Sequence, residues 1–183
     1  MGKLFVLISI LWSGAASPTQ AVHLRPETGH YYVWISDSMK WDDADKFAHK
    51  FEATVDGIVL DKWHLATITD ASENAFVFNV LLKTATGGPS FIGAIAPANN
   101  PRHFAWVTGE PFVYQNFAAG QPDEARENVL EMGGSWGASW NNQDGPGSPY
   151  EERESFILEH EPVPLPCPSV TVTTVPNVFG TER

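Results

Sequence analysis

The chain has 183 residues, a hydrophobic fraction of 43% with seven Trp and eleven Phe, and a formal net charge of −11 at pH 7. That length fits one domain with a tail. The acidity and the lack of any Lys/Arg run exclude the basic face that nucleic-acid recognition needs.

Lys3, the apolar run 4–12 and the small and polar residues up to Ala21 have the layout of a secretory signal peptide over residues 1–21. The apolar run is about nine residues, far short of the roughly 20 that cross a bilayer, and no other segment is apolar enough to span one. A buried N-terminal strand is the other reading of the same run. Residues 29–37 (GHYYVWISD) are aromatic and β-branched and predict a strand. Met39, Ala44, Phe47, Ala48 and Phe51 then fall near helical spacing, which predicts a helix over about 40–52 with Trp41 in its first turn. A second helix is expected from about Asp70, capped by Asp70 or Ser72 and stopped by the Gly87-Gly88-Pro89 stretch.

Past that point the pattern changes. Residues 91–94 and 104–107 read as short strands joined by an Asn/Pro-rich link. Residues 108–139 are rich in Gly, Pro and polar side chains, with one strand expected at 128–132; loops this long inside a domain are ordinarily functional. Residues 154–161 carry Phe156-Ile157-Leu158 as a last buried strand, and 162–183 form a Pro/Thr-rich flexible tail. The domain therefore covers residues 22–161. Its class is α+β, two helices packed on short antiparallel strands with one long functional loop.

The single cysteine, Cys167, lies in the tail between Pro166 and Pro168, so no internal disulfide can form. Eukaryotic exported domains of this size usually carry disulfides, and the expectation is a bacterial protein that is secreted, periplasmic or on the cell surface. Six histidines are dispersed, and neither His-Glu-x-x-His nor Gly-x-Ser-x-Gly occurs, which argues against an enzyme. Glu124 and Glu127 could be imagined as a glycosidase pair, but acids on one loop are ordinarily solvated.

One stretch gathers oxygen donors: GQPDEAREN at 120–128, followed by SWNNQ at 139–143. Gln121, Asp123, Glu127, Asn141 and Asn142 offer two carboxylates and three amides, the hard oxygens that Ca²⁺ takes six to eight of. A cis Gln121–Pro122 bond would turn both flanking side chains to one side. From the residues alone, a solvated surface loop and a calcium site both remain open.

The order of short signatures along residues 29–161 resembles the C-type lectin-like domain family. Trp41-Asp-Asp-Ala44 is similar to its first-helix signature, and His64-Leu-Ala-Thr-Ile68 with Glu73, Asn74 and Phe76 to its second-helix entry. Phe91-Ile-Gly93, Trp106-Val-Thr-Gly-Glu-Pro111 and Tyr114-Gln-Asn-Phe117 stand where the family has its core and loop-entry motifs, and Phe156-Ile-Leu-Glu159 resembles its closing strand. Gln121-Pro122-Asp123 matches a carbohydrate-binding triplet of galactose type, and Trp140-Asn141-Asn142 resembles the Trp-Asn-Asp triplet. The resemblance implies a C-type lectin-like fold and one Ca²⁺ held by Gln121, Asp123, Glu127, Asn141 and Asn142, the same residues meeting two vicinal sugar hydroxyls. Trp136 is a candidate stacking aromatic.

Three departures accompany the resemblance. Ala48, Val129 and Leu158 stand where disulfide-bearing members have Cys, so packing must replace the bridges. No acidic residue lies between Ile92 and Gly109, which implies that the family's auxiliary calcium site is missing. Asn142 replaces the expected Asp, leaving two carboxylates where three are usual. Two functions follow: a calcium-dependent carbohydrate-binding module, or a calcium-independent lectin-like domain with a protein-binding or structural role.

Overall fold

The computed structural model describes residues 6–7, 21–85, 88–97, 99–100 and 102–162. Strands β1 (Val6–Leu7), β2 (Ala21–Leu24) and β3 (Tyr31–Met39) lead into helix α1 (Trp41–Ala48). A hairpin of β4 (Ala53–Val55) and β5 (Ile58–Leu60), then β6 (His64–Leu65), precede helix α2 (Ala71–Phe76), which continues as a π-helical stretch, Val77–Leu82. Strands β7 (Pro89–Ile95), β8 (Ala105–Trp106), β9 (Val129–Gly133), β10 (Trp140–Gln143) and β11 (Glu154–His160) complete the domain, with a short 3₁₀ turn at Gly134–Trp136.

The expected strands and both helices are present, with shifted ends. Helix α1 stops at Ala48, four residues before the expected boundary, because the chain turns there and packs Phe51 edge-on against Trp63, with ring centroids 5.2 Å apart. The β4–β5 hairpin is an addition to the expected elements. Its turn is Asp56-Gly57, with both residues at positive φ (51° and 81°), the geometry that Asp-Gly favours in two-residue hairpins. Asp70 caps α2 as anticipated, its carboxylate accepting from the Glu73 N–H at 2.8 Å. The tail from residue 163 on, with Cys167, and Gly87 of the expected helix stop lie outside the described residues. So does all of the apolar run 4–12 except Val6 and Leu7, which pair with Val22 and Ala21.

The main sheet runs β1-β2-β3-β11-β7-β9-β10, with β6 on β11 and β8 on β7. Its pairs are antiparallel except β7–β11. The first long strand and the last are neighbours, with Leu158 opposite Val33, so the domain's two ends are tied together at its centre. Strands buried on both faces read as continuous apolar runs, and β11 is one. Phe156 and Leu158 enter the core beneath α1, whereas Ile157 enters the core beneath α2. Ala48, Val129 and Leu158 are fully buried in the α1-side core, so apolar packing fills the places expected to lack bridges.

On the other side, Trp140 closes the base of the long loop. It is fully buried, with Trp106, Phe112, Tyr114 and Phe117 within 5.6–6.2 Å of its ring. Its indole donates to Asn74 Oδ1 at 2.7 Å, its backbone N–H to Asn116 O, and its carbonyl accepts from Ala118 N. This aromatic anchor, on the same strand as Asn141 and Asn142, fixes where the 119–128 loop leaves the body of the fold.

Candidate functional site

The loop beyond Trp140 is stitched by side chain to backbone bonds. The Gln121–Pro122 bond is cis. The Asp123 N–H lies 3.2 Å from both Gln121 Oε1 and Asn142 Oδ1, and the Asp123 carboxylate accepts from the Glu124 N–H at 2.9 Å. Asn142, fully buried, donates its Nδ2 to the carbonyls of Glu124 (2.9 Å) and Glu127 (3.3 Å). Both ends of that amide are therefore committed to holding the loop in place. Gln121 Nε2 has no acceptor among the described residues.

Charge is concentrated here. Burial, the charge of Asp123 and then that of Asp144 push the Glu127 carboxyl up to about 7. Arg126 stands against this group: its guanidinium lies 3.4 Å from the buried Asp144 carboxylate and 3.4 Å from that of Glu124, and 5.6 Å over the Tyr150 ring. Asp144 also accepts from Ser148 Oγ.

Asn141 belongs to a different cluster. Successive strand residues face opposite sides, and Asn141 lies opposite Glu131 in the β9–β10 register. Its Nδ2 donates to Glu131 Oε1 at 2.8 Å, and the Trp136 indole donates to the same oxygen at 3.0 Å. Of the sequence candidates, then, Gln121, Asp123, Glu127 and Asn142 come together at the loop, whereas Asn141 and Trp136 meet on Glu131. Sequence reading passed over Glu131 and Arg126 as partners. Only Asp144, an acid just beyond the strand, carried a signal there.

A second polar cluster lies in the α2-side interior. Burial, then the charge of Glu159, raises the Glu73 carboxyl; Tyr32 Oη sits 2.5 Å from Glu73 and 2.7 Å from Glu159. The Arg25 guanidinium donates to Glu73, Asp70 and Ser72, and His30 Nδ1 meets Glu159 at 2.8 Å. His30, Glu73 and Glu159 are the His/Cys/Asp/Glu group close enough to hold a metal among the described residues. Protein donors already meet their oxygens, with the Arg25 guanidinium beside Glu73 and the Thr67 and Thr69 N–H groups on Glu159 and Glu73.

The loop's donors fit a hard cation in kind, since carboxylate and amide oxygens are what Ca²⁺ takes. Burial first, and then the like charge of Asp123 and Asp144, raises Glu127, and a cation relieves the second of these. Asn142 Oδ1 fits less well, because it already serves the Asp123 N–H. No helix among the described residues is long and apolar enough to cross a membrane.

No family model matches the chain. A protein named Lectin from Pleurodeles waltl is 24% identical over 115 residues, covering 62% of each chain. A perlucin-like protein from Mytilus galloprovincialis is 29% identical over 115 residues, covering 61% of this chain and 66% of that one. The chain spans about half to two thirds of the length of the curated relatives it matches. Among solved structures, human lithostathine superposes with a TM-score of 0.62 at 19% identity, covering 77% of this chain and 88% of its own. The C-type lectin CEL-I from Cucumaria echinata gives 0.59 at 21%, covering 72% and 89%. A calcium-independent type II antifreeze protein gives 0.59 at 16%, covering 78% and 92%. The fold is that of the C-type lectins.

Proposed function

We propose that this chain is an exported, non-enzymatic carbohydrate-binding module that meets sugar through the 121–127 loop, with calcium dependence and a galactose-type preference. The observation that carries this reading is the division of labour at the loop. Asn141 and Asn142 have committed their amide donors to Glu131 and to the loop backbone, whereas Gln121 Nε2 has not. Beside it stand the carboxylates of Asp123, which is exposed, and of Glu127, which is half-buried. An amide donor next to carboxylate acceptors is the pairing that two neighbouring hydroxyls need, one accepting and one donating.

Calcium would be held by Gln121, Asp123 and Glu127, with Asn142 shaping the loop beneath it. A bound Ca²⁺ supplies a positive centre to which hydroxyl oxygens can coordinate directly. With two carboxylates the affinity belongs at the weak end of extracellular calcium modules, about 10⁻⁴–10⁻³ M. At ten- to a hundredfold excess over such a Kd, mass action stabilises the native state by about 1–3 kcal/mol. Thermal unfolding in millimolar calcium against chelator, together with retention on immobilised galactose, tests the reading. Absence of both a calcium-dependent rise in Tm and calcium-dependent retention would overturn it.

One observation favours a calcium-independent, protein-binding or structural role instead. Arg126 already places a positive charge between Glu124 and Asp144, and Asn142 ties the loop without an ion. The calcium-independent antifreeze protein has a related fold.

A further inference from the structure

We propose that Glu73, Tyr32 and Glu159 hold one shared proton in the core, and that this proton is a pH-sensitive latch on helix α2, which grips the base of the 119–128 loop through Asn74. The three side chains are buried, at 2%, 0% and 1% exposure. Tyr32 Oη lies 2.5 Å from Glu73 Oε1 and 2.7 Å from Glu159 Oε1, and both are lengths at which a hydrogen lies between two oxygens.

The phenol has one hydrogen and can place it in only one of those contacts. Burial, then the charges of Glu159 and Glu73, raise the Tyr32 phenol far above its ordinary range, so it keeps that hydrogen. The other contact needs a hydrogen of its own, and only a carboxyl can bring it. With both carboxylates ionised, two buried anions would meet across a single hydrogen.

The remaining contacts indicate where the extra proton rests. Glu159 has His30 Nδ1 at 2.8 Å on Oε1, and on Oε2 the Thr67 N–H at 2.8 Å and Thr67 Oγ1 at 3.0 Å. Glu73 accepts from the Thr69 N–H and Oγ1 on Oε2, and on Oε1 from an Arg25 guanidinium that also serves Asp70 and Ser72. Burial, then the charge of Glu159, raises Glu73, whereas the His30 hydrogen bond leads the effects that lower Glu159 against its own burial. The proton belongs on the Glu73 side, and the two carboxyls titrate as one unit. Three more charged groups face this unit: His64 acts on Glu159, Glu161 acts on His30, and Glu110 meets Thr67 Oγ1 at 2.8 Å.

Raising the pH draws the proton out, and His30, whose side chain is 24% exposed, is the member of the chain that reaches water. Glu73 and Glu159 then repel across Tyr32, and the first turn of α2 is pushed away from β3 and β11. Asn74, the next residue, moves with it. Its Oδ1 accepts from the Trp140 indole at 2.7 Å and its Nδ2 donates to Ala138 O at 2.9 Å, so the displacement reaches the loop's anchor.

The test is a ¹³C and ¹⁵N NMR titration of wild-type protein and Glu73→Gln over about pH 3–9, following the Glu73 and Glu159 carboxyl carbons and the Trp140 indole N–H. In wild type, both carbons share a step above the ordinary Glu value of 4.5, and the Trp140 resonance shifts with the same midpoint. Gln, like a neutral carboxyl, can donate to Tyr32, so that variant loses the shared step and Trp140 holds its low-pH position through it. Glu127, which titrates on the loop itself, is untouched by the substitution, so a Trp140 step that survives in Glu73→Gln overturns the latch. Should the Gln protein not fold, Tyr32→Phe removes the linking hydrogen instead: the two carbons then titrate at separate midpoints and Trp140 follows neither. A Phe protein that titrates as wild type does, or wild-type carbons that are both ionised by pH 4.5, overturns the proposal.

Discussion

Asn142 Oδ1 accepts the backbone N–H of Asp123 across 3.2 Å, which makes a buried amide the internal brace of the loop that carries the candidate ligands. The Nδ2 end of the same amide holds two loop carbonyls. A carboxylate in that place would face Glu124 O and Glu127 O with no proton to give. Asn142→Asp is therefore expected to lower stability in chelator by about 1–3 kcal/mol, the cost of unpaired buried polar groups. Because a third carboxylate raises the site's charge, calcium should recover more of that loss than it adds to wild type. Unfolding curves for both proteins, with and without calcium, check this; an Asn142→Asp variant as stable as wild type in chelator would show that the brace is unimportant.

Arg126 is the loop's own cation, and its removal separates the two functional readings. With Arg126→Gln, the buried Asp144 and the exposed Glu124 lose their positive neighbour, and repulsion around Glu127 grows. The variant is expected to melt lower than wild type in chelator and to show a larger rise in Tm with calcium. An unchanged calcium response, at melting temperatures that have fallen, would mean that no cation site lies within reach of these carboxylates.

How much of this was legible in the sequence depends on whether a signal was local. Apolar runs marked β3, β7 and β11, and the aromatic residues around Trp140 showed that a core exists, because burial on both faces demands continuous hydrophobic strands. The hairpin turn at Asp56-Gly57 was equally local and could have been read, since Asp-Gly between Thr-Val and Ile-Val-Leu is a standard hairpin cue. The side-chain partners were not legible. Asn141 and Asn142 are adjacent and chemically alike, yet strand alternation sends one to Glu131 and the other to the loop backbone. Glu131 is ten residues from Asn141 and joins it through the β9–β10 register, which spacing alone does not fix.

His30 and Glu131 set a pH dependence of one sign. Its hydrogen bond to Glu159 raises His30 above its ordinary value of 6.5, despite burial, so its contribution is full below 6.5 and is lost as pH rises through the folded value. Burial holds Glu131 at about 7 against 4.5 in the open chain, so the folded state also binds more protons there between pH 4.5 and 7. Its share of stability falls across that window by about 3 kcal/mol. Denaturant unfolding at about pH 5.5, 7 and 8.5 should show declining stability. Glu131→Gln should flatten the lower part of the decline and His30→Gln the upper part. A wild-type protein whose stability rises from about pH 5.5 to 8.5 would contradict both assignments.

Gly93 marks the closest approach of backbone in the core. A Cβ there would lie 2.3 Å from Leu65 O, and Gly93 itself donates to Ala66 O at 2.7 Å and accepts from Val107 N at 2.8 Å. Neither neighbour is a flexible side-chain end, so β6 and β7 would have to part. Gly93→Ala is expected to cost about 3 kcal/mol or more, beyond ordinary overpacking because main chain must move. Chemical denaturation measures it, and a loss below about 1 kcal/mol would mean that β6 can yield.

The order of amide and carboxylate around Pro122 gives the most direct test of sugar choice. Gln121 presents an uncommitted amide donor, and Asp123 an exposed carboxylate with one oxygen on the Glu124 N–H. Exchanging their chemistry, Gln121→Glu with Asp123→Asn, keeps the number of oxygens and the net charge while reversing which hydroxyl meets a donor and which an acceptor. The expected outcome on calcium-loaded protein is a shift of retention from immobilised galactose toward mannose, whose 4-hydroxyl points the other way. Asp123→Ala removes a carboxylate outright and should abolish calcium-dependent retention, with little change in stability because the Glu124 N–H it leaves behind is open to water. An Asp123→Ala protein that still binds galactose and releases it with chelator places the ion elsewhere. An exchanged pair that binds galactose as wild type does would mean that neither Gln121 nor Asp123 reads the hydroxyls, and that selectivity lies elsewhere.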